Sequence, residues 1–511
     1  MTSTAALDPR DPRPIPSREE ASLRRRASGF LLVLGALLLC SPTLRAEEAA
    51  TPAPGLAEGS ALSAEASPGD QPAQQAGDQP SAAPSTPPPP AAPSDPFAFA
   101  DFTWLNGTPR QKKPAWDSPL FTLEVRVDTN LVYTTNDPAD HTLLGSAELA
   151  RSNELQLQQL GVGGDFHYNN VRARLMTQFG VYSQLTPRND PSPSRGQFDL
   201  ADMYRYLSEA YGGYHIDKMH GINVDAGIFM SYIGLFSYYN YDNWAYQPSY
   251  VSANTPWFFE GIRIQLFPTD KLKIEPWIIN GWQSYGMFNS TPGYGGQILW
   301  RPNGSVSILS NNYSGKDTLQ NPDRKRFHTD NSVTVKYLDR PNATLDKMAF
   351  SFTGDFGCEH GGGVVCTGGN AKTPSQYFAG WMLYNRFWFA KDHYALTLGG
   401  GQMTNPGRYL AIFPPIDGAT ATTGSPYFTE NPGDQLKAWD VSTTFNYMPK
   451  DEITFCLEWG YRHANVPYFA GPGGVTPPGG NNGNPTAVIP GWTPDLVKSE
   501  GRVLFSLMVK L

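Results

Sequence analysis

From residue 119 to the C-terminus, apolar and polar side chains alternate one by one. "FTLEVRVDTNLVY" (121–133) sets the pattern. Phe121, Leu123, Val125, Val127, Leu131 and Tyr133 are apolar, with Thr129 in step, and Thr122, Glu124, Arg126, Asp128 and Asn130 fall between them. A repeat of two predicts a strand with one apolar and one charged face. Val171, Ala173, Leu175, Phe179 and Val181 oppose Arg172, Arg174, Gln178 and Gln184 in the same way, and Ile262, Ile264 and Leu266 oppose Arg263 and Gln265. The chain ends on Val503, Phe505, Leu507, Val509 and Leu511, still in step.

The connections alternate in length. Short ones fall at Asn169-Asn170, 216–221, 268–271, 301–304, 339–346, 390–393 and 449–452. Long ones, rich in Gly, Pro, Asn and Ser, fall at 135–153, 185–202, 233–256, 286–293, 314–326, 357–375, 405–435 and 465–499. Seven short turns and eight long loops predict sixteen strands, give or take two. Short periplasmic turns, long external loops and an even strand number are the plan of a bacterial outer-membrane barrel. The expected fold is therefore all-β, a closed antiparallel transmembrane β-barrel. Its apolar face meets lipid, and its polar face looks into a wet lumen. A soluble sandwich also alternates, but not with such regular loop lengths from 119 to 511.

Composition adds the flanking regions. Beyond residue 40 no stretch approaches the roughly 20 apolar residues of a spanning helix. Residues 1–46 read as a signal peptide: Arg24, Arg25 and Arg26 precede the short apolar run "FLLVLGALLLC" (30–40). Cys40 follows Leu39 where lipidation wants a small residue, which argues against acylation. Residues 47–95, Ala/Pro/Gly/Ser-rich and without an aromatic residue, read as a disordered tether. A segment that is first aromatic and then basic spans 96–118, and the barrel spans 119–511.

The formal charge is −8. Residues 1–46 carry seven Arg against four acidic side chains, or +3, which leaves −11 for the rest. An acidic exported chain without a basic face does not bind nucleic acid.

Candidate pore-lining charges are those on the polar faces: Glu124, Arg126, Asp128, Arg172, Arg174, Arg263, Lys273, Glu275, Arg386, Glu458 and Arg462. Facing rows of opposite sign would set up a transverse field favouring polar or charged small solutes. The loop 233–256 is crowded with Tyr and Trp. An interfacial aromatic girdle with loop packing is its expected role, and an inward constriction is the other reading. "NPDRKRFHTD" (321–330) reads as a solvated basic loop. Cys358 and Cys366 bracket "CEHGGGVVC", the pattern of a loop disulfide in an oxidising compartment. Cys456 falls on a polar face as a free thiol. Two thiols without a second ligand cluster make no metal site. The sequence holds no G-x-S-x-G elbow, H-E-x-x-H, phosphate loop or G-x-G-x-x-G, so neither an enzyme nor a cofactor is implied.

Three blocks add a resemblance: "FADFTWLNG" (99–107), "YYNYDNWAYQPSYVSANTPWFFEGIRIQLFPTDKLKIEPWIINGWQ" (238–283) and "NPDRKRFHTDNS" (321–332). On these, residues 95–511 resemble the OmpL-like β-barrel porin family of Gram-negative outer membranes. The resemblance implies an outer-membrane barrel with a pore and supplies no catalytic residue. The expected function is passive diffusion of small hydrophilic solutes or ions. The alternatives are a barrel enzyme of lipase or protease type and a plugged structural or adhesive barrel. Expected partners are outer-membrane lipid, the solutes, and the barrel assembly machinery acting on the C-terminal strand. No sequence feature decides whether the chain forms homo-oligomers.

Overall fold

The computed structural model describes residues 95–406, 409, 435–480 and 491–511. The signal expected at 1–46 and the tether expected at 47–95, except Asp95, lie outside them, with most of the loop 405–435 and part of 465–499.

The alternating segments become strands, one of them shorter than its pattern. The first hairpins are β1 (Phe121–Thr134), β2 (Leu155–Tyr168), β3 (Val171–Thr177), β4 (Leu207–Ile216), β5 (Ile222–Met230) and β6 (Phe258–Thr269). β7 (Leu272–Ile279), β8 (Gly293–Asn303), β9 (Val306–Gly315), β10 (Lys325–Asp339) and β11 (Leu345–His360) follow. Then come β12 (Tyr377–Phe389), β13 (Tyr394–Pro406), β14 (Gln435–Lys450) and β15 (Ile453–Ala464). A two-residue ribbon, β16 (Phe469–Ala470) with β17 (Leu496–Val497), precedes the last strand, β18 (Ser499–Lys510).

β1 to β15 and β18 form one closed ring of sixteen antiparallel strands. The seam is β1 against β18, with Val127 opposite Val509 and Leu131 opposite Phe505. Closure is obligatory, because hydrocarbon cannot satisfy the free N–H and C=O groups of a sheet edge.

All seven short connections sit where the sequence pattern puts them. At Asn169-Asn170 both residues have positive φ, 46° and 66°. A two-residue hairpin needs this left-handed geometry, and Asn tolerates it. Outward side chains such as Val162 and Ile262 are 44% and 45% exposed to the surroundings, while side chains at inward positions, such as Asp225 and Asp440, are buried. In place, that outer band is covered by lipid.

The structure departs from the pattern in two places. β3 stops at Thr177, so Val181 and Gln184 are not strand residues. Phe179 still bridges Leu160, but Gly180 takes φ +97°, and a Cβ there would lie 2.5 Å from the Leu157 carbonyl oxygen. The chain turns away into a helical turn, Tyr182–Leu185. The second departure is inside. The inner face does not look onto water alone, because Trp244, Tyr250, Phe259, Trp277 and Tyr384 join a buried aromatic core within the ring. A sixteen-stranded ring is too wide for wall side chains to fill, and a folded-in loop occupies the space.

A lysine at Val162, on the lipid face of β2, is expected to lower stability by about 2–4 kcal/mol if it lies near the membrane midplane. Urea titration of the protein refolded in vesicles measures it.

Candidate functional site

β5 and β6 are joined by residues 231–257, and this loop enters the barrel. Two short elements order it, a 3-10 turn at Asn240–Asp242 and a helical turn at Tyr250–Ala253. Ser249 caps the second by accepting a hydrogen bond from the Val251 N–H. Tyr246, Tyr250 and Val251 are at most 1% exposed. The aromatic residues therefore form a lumenal core, and the interfacial girdle expected for 233–256 is not their main use.

The inner wall grips this loop through five of the expected pore-lining residues. Arg126 Nη1 lies 3.1 Å from Asp242 Oδ2, and its guanidinium stacks 3.9 Å above the Tyr239 ring. Asp128 accepts hydrogen bonds from Asn240 Nδ2 at 3.0 Å and from the Tyr246 hydroxyl at 3.0 Å. Glu458 accepts the backbone N–H groups of Tyr246 and Gln247 at 2.7 and 3.0 Å. Arg386 donates to the Trp244 carbonyl at 2.9 Å, and Arg462 to the Pro248 carbonyl at 2.7 Å. Burial outweighs the attraction of Arg126 at Asp242, whose carboxyl sits above its ordinary pKa.

The other six are ion-paired along the wall. Arg174 meets Glu124 at 3.0 Å, Asp165 at 2.8 Å and Glu209 at 2.9 Å, and Glu124 also contacts Arg126. Arg172 and Arg263 share Asp225, at 3.3 and 3.0 Å. Lys273 pairs with Glu275 at 2.8 Å, and Glu275 also accepts from Gln265 and from the Trp277 indole. Opposite charges thus pair within a strand and between near strands.

Sequence reasoning missed several inward residues. Asp440 accepts from the Ser249 hydroxyl at 2.8 Å and the Tyr250 N–H at 3.0 Å. Arg502 donates to Gln247 Oε1 at 2.7 Å. Glu209 and Asp225 anchor the arginines just described. All stand at inward positions of the period-two pattern, the signal that could have found them. The basic run at 321–330 is only partly a solvated loop. Arg326, His328 and Asp330 alternate inward from the start of β10 and are buried. Arg326 pairs with Glu359 at 2.9 Å, and His328 Nε2 lies 2.8 Å from Asp355. Cys358 and Cys366 are bonded, and Cys456 is a buried free thiol packed among Val132, Leu504 and Met508.

A second piece of chain lies across the short-turn mouth. The Phe97 N–H donates to the Asp270 carbonyl in the β6–β7 turn. The Arg301 guanidinium lies over the rings of Phe97 and Phe102. Further along, Trp104 is 2% exposed, and its carbonyl accepts from the Trp244 indole at 3.0 Å. Asn106 accepts the Trp244 N–H at 2.7 Å and donates to the Leu235 carbonyl. Gly107 has φ +76° at a point where a Cβ would meet the Leu235 carbonyl oxygen at 2.8 Å. Arg110 ends the crossing, donating to Thr454 Oγ1 and to the Lys450 and Ile453 carbonyls at β14–β15. β6 and β14 stand eight strands apart in the ring of sixteen, so the segment spans a diameter. Beside the loop a cavity of about 220 Å³ remains, lined by Tyr182, Phe236, Tyr238, Asn240, Trp257 and Gln297.

Among curated proteins no sequence matches the chain. Among solved structures, outer-membrane proteins are similar to the chain at low identity. The anion-selective porin from Comamonas acidovorans is 10% identical, with a TM-score of 0.42, over 76% of this chain and 99% of that one. The outer membrane channel DcaP of Acinetobacter baumannii is 10% identical, with a TM-score of 0.43, over 78% and 100%. OprB of Pseudomonas putida is 8% identical, with a TM-score of 0.44, over 76% and 94%. A family model matches residues 121–487, from the first strand into the last long loop, and its description reads "Putative beta-barrel porin-2, OmpL-like". The chain belongs to this family of outer-membrane β-barrel porins.

Proposed function

We propose that this porin passes small hydrophilic solutes or ions by passive diffusion along a narrow route beside its lumenal loop, and that it performs no catalysis. The observation that carries the reading is the pairing of a closed sixteen-strand wall with a polar inner face. A polar inner face is what a water-filled barrel presents to a passing solute. On this reading Glu124, Arg126, Asp128, Arg172, Arg174, Arg263, Lys273, Glu275, Arg386, Glu458 and Arg462 set the electrostatics of the route. Some act directly, and others act by holding the loop.

Export on residues 1–46 and a tether at 47–95 bring the barrel, 119–511, to the outer membrane, with 96–118 as a periplasmic stopper. The C-terminal alternation in β18 is the feature that the assembly machinery would read. Association of copies in the plane of the membrane completes the reading. The depth to which 231–257 is packed favours one competitor, a permanently plugged structural barrel.

Single-channel recording in planar bilayers separates the two. The full chain is expected to show small stepwise currents, and deletion of 96–112 to raise them several-fold. Silence from both proteins, with heat-modifiable migration retained, favours the plugged barrel. Asp440→Ala leaves the Ser249 hydroxyl and Tyr250 N–H without their acceptor. It is expected to cost about 1–3 kcal/mol, read from the urea midpoint, and to make the open current noisier as the loop loosens.

A further inference from the structure

The lipid-facing wall carries a polar cluster on β9 and β10. Ser310 and Asn331 face each other across the ladder, and so do Asn312 and Thr329. All four stand at outward positions; Asn312 and Asn331 are exposed, and Ser310 and Thr329 half-buried. The Ser310 hydroxyl donates to Asn331 Oδ1 at 2.7 Å, and Asn331 Nδ2 to Thr329 Oγ1 at 2.9 Å. Asn312 Nδ2 reaches Ser310 Oγ at 3.5 Å. Each carboxamide has two N–H donors and two acceptor lone pairs, so these contacts use only part of its capacity.

The depth of the cluster makes it a problem for the chain. The rung above it runs from Tyr294 through Ser314 to Phe327. The rung below runs from Trp300 through Ile308 and Val333 to Phe352. Aromatic rings of this kind mark the membrane interfaces, so the amides sit between them at acyl-chain depth. Polar groups there are costly unless paired. By contrast, Asn385, another outward amide, accepts from the Tyr337 hydroxyl at 3.0 Å. Beside the cluster, across from Asn331, the wall is hollow at Gly354. A Cβ at Gly354 would meet nothing nearer than the Phe352 ring at 3.9 Å, so packing within the chain does not call for glycine.

We propose that this face of β8–β11 is where two copies of the chain meet in the membrane. It rests on the reading of the chain as an embedded barrel whose copies associate, and it adds the surface. Three features select a second copy. The four polar residues of the cluster carry no charge, so it offers no ion pair to lipid phosphates. At that depth only another membrane-embedded wall can reach it. Carboxamides and hydroxyls both donate and accept, so the cluster complements itself across a two-fold axis, the commonest symmetry of homo-oligomers. Small and polar residues are also what membrane-embedded protein contacts use.

The test uses the full chain in native outer membranes. Asn312→Cys is expected to give an oxidative self-cross-link at least ten-fold stronger than Val125→Cys, on the opposite side of the ring, with the wild type as background. The variant S310A/N312L/N331L is expected to weaken the detergent-extracted dimer at least ten-fold in native mass spectrometry. Gly354→Leu, which has room in the monomer, is expected to do the same if the triple variant fails to fold. Heat-modifiable migration of each variant tests the barrel reading separately. Equal cross-linking at the two positions, capture of a different protein at Asn312→Cys, or dimers unchanged in the folded variants would each overturn the assignment.

Discussion

Inside a bilayer a peptide N–H or C=O finds no water, so each must find its partner in a neighbouring strand. That requirement turns sixteen amphipathic segments into one ring, with β18 returning to β1. It also fixes the register, because a slip of one residue would exchange the lipid face for the charged face. The ring then creates a second difficulty. Its interior is too wide for wall side chains to fill, and the chain answers with residues 231–257.

The loop is held as a polar object in a polar sleeve. Asp440 and Glu458 accept backbone N–H groups, Arg386 and Arg462 donate to backbone carbonyls, and Arg126 pairs with Asp242. Such bonds add less net stability than their number suggests, because both partners give up water. They do define one seating for the loop, since a shifted loop would strand several buried charges. The aromatic rings between them, Tyr246 and Tyr250 among others, supply apolar burial. The interior therefore resembles a soluble core with charged walls, enclosed by a wall whose outer face follows lipid rules.

The strands were readable because period-two alternation is local and strong; the turn at Asn169-Asn170 was readable because Asn tolerates positive φ. Alternating loop lengths then made the ring legible before any tertiary contact was known. The lumenal charges were legible as inward positions, but their partners were not. Nothing near Arg172 or Arg263 in sequence announces that both meet Asp225 on β5. The inward loop was misread for a physical reason. Tyr and Trp suit an interface and a polar-walled core equally well, and only the width of the closed ring decides between them. β3 ended early because Gly180 adopts a left-handed conformation, which composition alone does not reveal.

Arg110 is bonded to Thr454 across 344 positions of sequence, and Asn106 to Leu235 across 129. Neither partner has its final place until the last hairpins exist and the loop is seated. The part of the described chain that leaves the ribosome first thus completes its contacts only with the last hairpin and the seated loop in place. It works as a latch drawn over finished masonry, and what it secures depends on a wall already built.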